Sequence, residues 1–185
     1  MDYSIKELSA PTDADLAELV AVLDDIVAGG ASVGFMLPID EAVHAAFWRE
    51  VREGVRAGTR VLLVARAAGR IVGTVQLDLA QRPNGRHRCE LQKLLVLRSH
   101  RRRGIAAALV QVAEAAARAR RRTLIVLDSG ATGNALGIYD RAGYTRVGVI
   151  PRFARDPDGP LIDTVVYYKE LAPAGDASPP PRAGS

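Results

Sequence analysis

The segment Arg101-Arg102-Arg103-Gly104-Ile105-Ala106 brings three cationic side chains and an unrestricted glycine to the start of a long alanine-rich stretch. Unpaired backbone N–H groups and the positive end of a helix dipole make such a junction an anion site. Gly104 has no Cβ, so the chain can bend into positive φ there and let a phosphate approach the amides. The plainer reading is an arginine-rich surface loop ahead of an ordinary helix. Charge placement bears on the choice. Residues 86–122 hold eleven Lys/Arg against two acids, Glu90 and Glu114, in a chain whose net charge is only +4. Either a polyanion or a polyphosphate ligand docks on this window, or its charges are simply solvated. The window has no aromatic residue on which bases would stack, which argues against a nucleic-acid partner.

Composition narrows the rest. At 185 residues, 48% hydrophobic and 25% charged, the chain suits one domain that buries its own core. We expect that domain over residues 1–171, followed by a disordered Pro/Ala/Gly-rich tail, 172–185, with nothing to bury. No apolar run approaches the roughly 20 residues that span a bilayer. Met1 to Lys6 lacks the basic-then-apolar pattern of a signal peptide. The expected location is cytoplasmic, with no membrane partner. The lone Cys89 cannot form an internal disulfide, and with three scattered histidines it makes no convincing metal set, so no metal is expected.

The elements that must position the basic junction follow from periodicity. Tyr3 to Leu8 reads as a strand. Thr12 caps a helix, with Asp15 replacing the usual Glu of a capping box. Leu16, Leu19, Val20, Leu23 and Val27 carry that helix to Ala28, where Gly29-Gly30 ends it. Val43, Phe47, Val51 and Val55 mark a second helix ending near Gly58. Val61 to Ala65 is a strand covered on both faces, and a turn at Ala67–Arg70 leads to a strand over Ile71–Leu79. Pro83-Asn84-Gly85 is a turn before a strand over Glu90–Leu97. The helix from about Gly104 to Ala119 is expected to turn Ile105, Leu109, Val112 and Ala116 inward, and Gln111, Glu114 and Arg118 to water. A buried strand (Thr123–Asp128), a short helix (Asn134–Ala142) and two strands (Tyr144–Val149, Thr164–Lys169) complete a β-α-α-β-β-β-α-β-α-β-β order. That order is a mixed α/β sheet, not a Rossmann repeat.

Three segments in this order, Glu90 to Val96, Arg101 to Ala106 and Tyr139-Asp140-Arg141-Ala142-Gly143-Tyr144, resemble the GNAT superfamily of acetyl-CoA-dependent N-acetyltransferases. The second matches that family's Arg/Gln-x-x-Gly-x-Gly/Ala through Arg101, Gly104 and Ala106; the third matches its Tyr-x-x-x-Gly-Phe/Tyr. Gly29 to Met36, Pro83-Asn84-Gly85, Gln92-Lys93-Leu94, Tyr144 to Gly148, Pro157-Asp158-Gly159 and Tyr167 are most similar to the tabtoxin-resistance type of these enzymes. That type acetylates the amine of a β-lactam-bearing amino acid. The resemblance implies a mostly antiparallel sheet of about seven strands, splayed at the cofactor site and flanked by about four helices. It further implies acetyl-CoA as co-substrate, a small amine as acceptor, direct transfer in a ternary complex, and a monomer or homodimer. A non-catalytic acyl-CoA sensor and an acetyltransferase of protein amines are the alternatives.

The same resemblance assigns roles. Amides and side chains of Arg101, Arg102, Arg103, Gly104, Ile105 and Ala106 receive the pyrophosphate. Leu94, Leu95 and Val96 offer backbone partners to the pantetheine arm, as a peptide adds to a sheet edge, and the Val96 N–H polarises the thioester carbonyl. Tyr139 is the general acid for the leaving thiolate, since a phenol of ordinary pKa near 10 stays protonated at neutral pH; the rival reading packs its ring on the sheet. Glu90 and Asp128 are candidates for taking the amine's proton; either alternatively binds the ammonium, and Asp128 alternatively caps a loop. Ser32, Phe35 and Met36, in the loop from Gly30 to Pro38, line the acceptor side or else close over the core. Thr132 stands where the family often has an asparagine for pantetheine, with Asn134 two residues later; it either takes that cofactor contact or only caps the following helix.

Overall fold

A computed structural model describes residues 3–131 and 135–172. Thr132 and residues 173–185 of the expected tail lie outside the described residues. In chain order the elements are β1 (Ser4–Glu7), α1 (Asp13–Ala28), α2 (Glu41–Arg56), β2 (Arg60–Ala67), β3 (Arg70–Leu79), β4 (Arg88–Val96), α3 (Ile105–Ala119), β5 (Leu124–Gly130), α4 (Leu136–Arg141), β6 (Thr145–Arg155) and β7 (Leu161–Glu170). The expected mixed α/β architecture is the one observed, with seven strands in the order β1-β2-β3-β4-β5-β7-β6.

Every neighbouring pair in that sheet is antiparallel except β4 with β5. This parallel pairing lasts three residues, Arg88↔Leu124, Cys89↔Ile125 and Glu90↔Val126, and the two strands then part. Helices cover both faces. Val61, Leu63 and Ala65 of β2 pack on the side of α3, while Leu62 and Val64 pack on the side of α1 and α2. Burial on both faces is why β2 reads as an uninterrupted apolar run.

Local signals set the ends of α1. Thr12 Oγ1 accepts from the Asp15 amide at 3.2 Å, and Asp15 Oδ2 accepts from the Thr12 amide at 2.8 Å, a reciprocal capping box. Thr12→Ala is expected to lower unfolding free energy by about 1 kcal/mol in a urea titration, with Thr12→Ser close to wild type. A loss below a few tenths of a kcal/mol would show that the cap does not matter.

Three expectations need correction. Helix α2 buries His44, Trp48 and Val51, whereas Val43 is 52% exposed. His44 can enter the core because its Nδ1 meets Asp24 Oδ1 of α1 at 2.5 Å. Helix α3 buries Val110, Ala113, Ala117 and also Glu114, which had been expected in water. Lys169 Nζ of β7 donates to Glu114 Oε1 at 2.7 Å, supplying the counter-charge that a buried carboxylate requires. Finally, the basic window is not one surface. Its arginines divide between the two ends of α3, about 22 Å apart for fifteen residues. Three at the far end are engaged: Arg118 with Glu114, Arg120 with Glu7, and Arg122 with the Ala80 carbonyl.

Candidate functional site

Strand β4 carries a bulge. Gln92 lies opposite Gln76 and Leu95 opposite Thr74, so β4 takes three steps where β3 takes two. Lys93 occupies the extra position with φ of 50°, in the left-handed region that lysine rarely visits. The side-chain alternation shifts accordingly. Leu91 and Leu94 pack toward α3 and Leu95 toward α1 and α2, which leaves Gln92 and Lys93 together away from α3.

Beyond the bulge, β4 has a free edge. The Leu97 amide donates to the Val72 carbonyl of β3 at 2.9 Å. By strand alternation the amides of Val96 and Leu94 face the opposite way, into the gap that β5 has vacated. This edge is the one the sequence assigned to pantetheine.

Two carboxylates border the gap. Glu90 is the last β4 residue paired with β5, opposite Val126, and Asp128 lies two residues further along β5, hence on the same face as Val126. Asp128 Oδ2 accepts from Thr164 Oγ1 at 3.0 Å. Tyr139 approaches from the α3–α4 side, its ring packed edge-on against Tyr144 and tilted against Tyr167, each at 5.7 Å. Burial, reinforced by the negative charge of Asp128, pushes its phenol far above the ordinary tyrosine range. The other two hydroxyls are withheld from the gap: Tyr167 donates to Asp140 at 3.3 Å, and the Tyr144 hydroxyl is sealed in the interior without a partner. Among the described residues, Tyr139 is therefore the phenol left available at the gap.

The basic junction has the expected backbone. Gly104 is the N-cap of α3 with φ of 79°, Arg102 has φ of 61°, and no side chain caps the helix. Arg101, Arg102 and Arg103 are exposed, with Arg103 reaching the Ser99 carbonyl at 3.3 Å; Ile105 is buried beneath the turn and Ala106 half-buried. Arg98 ties the loop to α1 through the Asp25 carboxylate, with both its amide and its Nε at 2.9 Å.

The three candidates of the Gly30–Pro38 loop separate. Ser32 donates to the Arg155 carbonyl at 3.1 Å, so it fastens the loop to the β6–β7 hairpin. The Leu37 amide makes a second tie to the Pro157 carbonyl at 2.9 Å. Met36 is exposed. Phe35 stacks edge-on with His44 at 4.6 Å and with Phe47 at 5.3 Å. Lys93 was not among the expected site residues. Its Nζ sits 5.7 Å from the Phe35 ring centre and 5.5 Å from that of Phe47. The trace of the bulge in the sequence is the adjacent polar pair Gln92-Lys93, where the alternation of Arg88-Cys89-Glu90-Leu91 breaks. Cys89 is buried in the core, and that burial pushes its thiol up to about 11, which makes it a poor nucleophile.

Known proteins resemble this chain. The acetyltransferase (GNAT) family model matches residues 35–144, a span that runs from Phe35 through the bulge and the Gly104 turn to Tyr144. N-acetyltransferase family 8 member 2 of Rattus norvegicus is 37% identical over 110 residues, which are 57% of this chain and 41% of that protein. The chain thus spans about two fifths of the length of this relative. Ribosomal-protein-alanine N-acetyltransferase from Brucella melitensis superposes with a TM-score of 0.75 at 24% identity, over 91% of this chain and 99% of that one. The Salmonella typhimurium acetyltransferase yncA, solved with its cofactor acetyl-CoA, superposes with a TM-score of 0.76 at 18% identity, over 95% and 97%. At such identities the superpositions speak for the fold, and the family model, matching more than half of the sequence, carries the assignment: the chain belongs to the GNAT family of acetyltransferases.

Proposed function

We propose that the protein moves an acetyl group from acetyl-CoA to the amine of a small molecule, directly, within a ternary complex. The observation that carries this reading is the gap between β4 and β5. It has a free strand edge, two carboxylates on one face and an uncommitted phenol on the other.

The residues present suit acetyl-CoA. Leu94 and Val96 offer strand-edge amides to the pantetheine arm, with Leu95 fixing the strand in the core. Amides around Gly104 to Ala106 suit a diphosphate at an uncapped helix start, and Arg101, Arg102 and Arg103 supply compensating charge. When bound, acetyl-CoA supplies an activated acyl carbon and a thiolate leaving group. The Val96 N–H donates to the carbonyl oxygen as charge gathers there. Glu90 or Asp128 removes a proton from the acceptor ammonium, directly or through water, and the Tyr139 hydroxyl gives a proton to the departing sulfur.

A small acceptor fits the strapped loop. Its two ties to the β6–β7 hairpin close the acceptor side, which suits a compact amine over a polypeptide segment. The likeness to the tabtoxin-resistance type favours an amino-acid-like antimetabolite, and the reaction is assigned to residues 1–171 acting in the cytoplasm, without the tail.

Thiol release from acetyl-CoA, measured against a panel of amines, polyamines, amino acids and β-lactam analogues, tests the reading. Turnover of at least one small amine is expected, with calorimetric binding of CoA. CoA binding with no turnover would shift the assignment to a sensor or to protein amines, and no CoA binding at all would end it. Gly104→Val is expected to weaken CoA by about 10-fold, because a β-branched residue strains a left-handed position by about 1–2 kcal/mol. Circular dichroism checks that the variant is folded. Added bulk is not the cause, since the nearest atom to a Cβ there is the Tyr3 hydroxyl at 3.8 Å.

A further inference from the structure

Lys93 is a costly residue in its position. It holds a left-handed backbone conformation that only glycine adopts freely, and its half-buried side chain lies beside Phe35 and Phe47. Among the described residues its ammonium has no hydrogen bond and no carboxylate within 4.0 Å, although ten other Arg or Lys side chains are engaged in salt bridges. Two ring faces stabilise a cation weakly compared with a charge-assisted hydrogen bond. Burial accordingly pulls its pKa below the ordinary lysine value, while Asp128 and Glu90 partly restore it and Arg60 opposes them.

Those two restoring charges identify the neighbourhood. Lys93, Glu90 and Asp128 share the face of the sheet opposite α3. Among the described residues neither carboxylate has a cationic partner within 4.0 Å, Glu90 has no side-chain hydrogen bond, and Asp128 has only Thr164. One positive and two negative groups thus sit around one cleft without a direct ion pair between them. A net ammonium ligand would satisfy the carboxylates and leave Lys93 repelled. A net anionic ligand would do the reverse. A zwitterion satisfies all three.

We propose that Lys93 is a specificity-determining residue whose ammonium binds a carboxylate of the acceptor, so that the preferred substrates are small amino acids or analogues carrying both amine and carboxylate. This rests on the reading of the cleft as the acceptor site for acetyl transfer. The bulge is then explained by its effect on direction. Without the extra residue, Lys93 would alternate into the core beneath α3; with it, the side chain turns to the acceptor side. Gly34 of the loop lies beside the ammonium: a Cβ there would be in ordinary contact with Lys93 Nζ, at 3.5 Å.

The test compares acceptor pairs that differ only in the carboxylate: L-lysine with cadaverine, L-phenylalanine with phenethylamine, and L-methionine with 3-(methylthio)propylamine. Thiol release is followed in wild type, Lys93→Met and Lys93→Arg. Wild type is expected to prefer the better-accepted amino acid over its decarboxylated partner by at least about 10-fold in kcat/KM. In Lys93→Met that ratio is expected to fall by about 10- to 100-fold, mostly through KM of the amino acid. Methionine keeps the apolar stem against the two rings, and Lys93→Arg, which keeps the charge, is expected to retain part of the preference. Turnover without preference for the carboxylate-bearing partner would overturn the proposal. So would an equal loss of kcat for both partners in Lys93→Met, which would point to proton transfer instead. If no acceptor is turned over although CoA binds, the acetylation reading fails first and this inference with it.

Discussion

Tyr139→Phe is expected to lower kcat by about 10²- to 10⁴-fold, the range supplied by a positioned general acid, with little change in CoA affinity. The variant isolates the hydroxyl, because the ring keeps its contacts with Tyr144 and Tyr167. Stability is expected to change by less than about 0.5 kcal/mol, as the hydroxyl has no hydrogen-bond partner among the described residues to lose. The sign of the pH effect is also fixed. Burial and Asp128 raise the Tyr139 pKa, so the protonated form persists above the pH at which an ordinary tyrosine ionises. Wild-type kcat should therefore show no alkaline loss near pH 10 from this residue. A Tyr139→Phe enzyme within about threefold of wild-type kcat would reduce the residue to a packing role.

The double substitution Glu90→Gln with Asp128→Asn is expected to cost about 10²- to 10³-fold in kcat/KM at pH 7, and each single change less, because one carboxylate remains beside the gap. Both changes preserve side-chain volume, so packing is conserved. The pH dependence separates two roles for the carboxylates. If they take the amine's proton, the deficit should shrink as pH rises toward the acceptor's own pKa, near 10 for an aliphatic amine, since the free base then needs no help. A deficit that stays constant between pH 7 and 10 would mean that they hold the ammonium electrostatically and do not accept its proton.

How far the sequence could be read depends on how local each cause is. Thr12 and Asp15 lie three residues apart and their capping box was plain in the sequence. The turn at Ala68 and Gly69, with φ of 47° and 79°, was equally local. So was the turn at Gly104. Errors arose where a partner came from far along the chain. Glu114 looks like a water-facing residue until Lys169, 55 positions away, is folded against it. His44 ranks as polar in any hydropathy pattern, yet Asp24 on the neighbouring helix lets it enter the core in place of Val43. Lys93 was missed for a third reason: a bulge resets the alternation on which strand reading relies, and nothing in Gln92-Lys93-Leu94 alone says which face each residue takes. The basic run was over-read, because sequence proximity placed at one surface two clusters that a helix holds apart.

The brevity of the β4–β5 pairing has a mechanical consequence. Four strands on one side and three on the other meet along a seam only three residues deep, with α3 and the core beneath as the remaining fastening. Whatever lies along the open edge and accepts its hydrogen bonds completes the sheet as an additional strand would, and so adds to the folding free energy in proportion to its occupancy. Occupancy of that edge is therefore expected to raise the melting temperature of the folded chain.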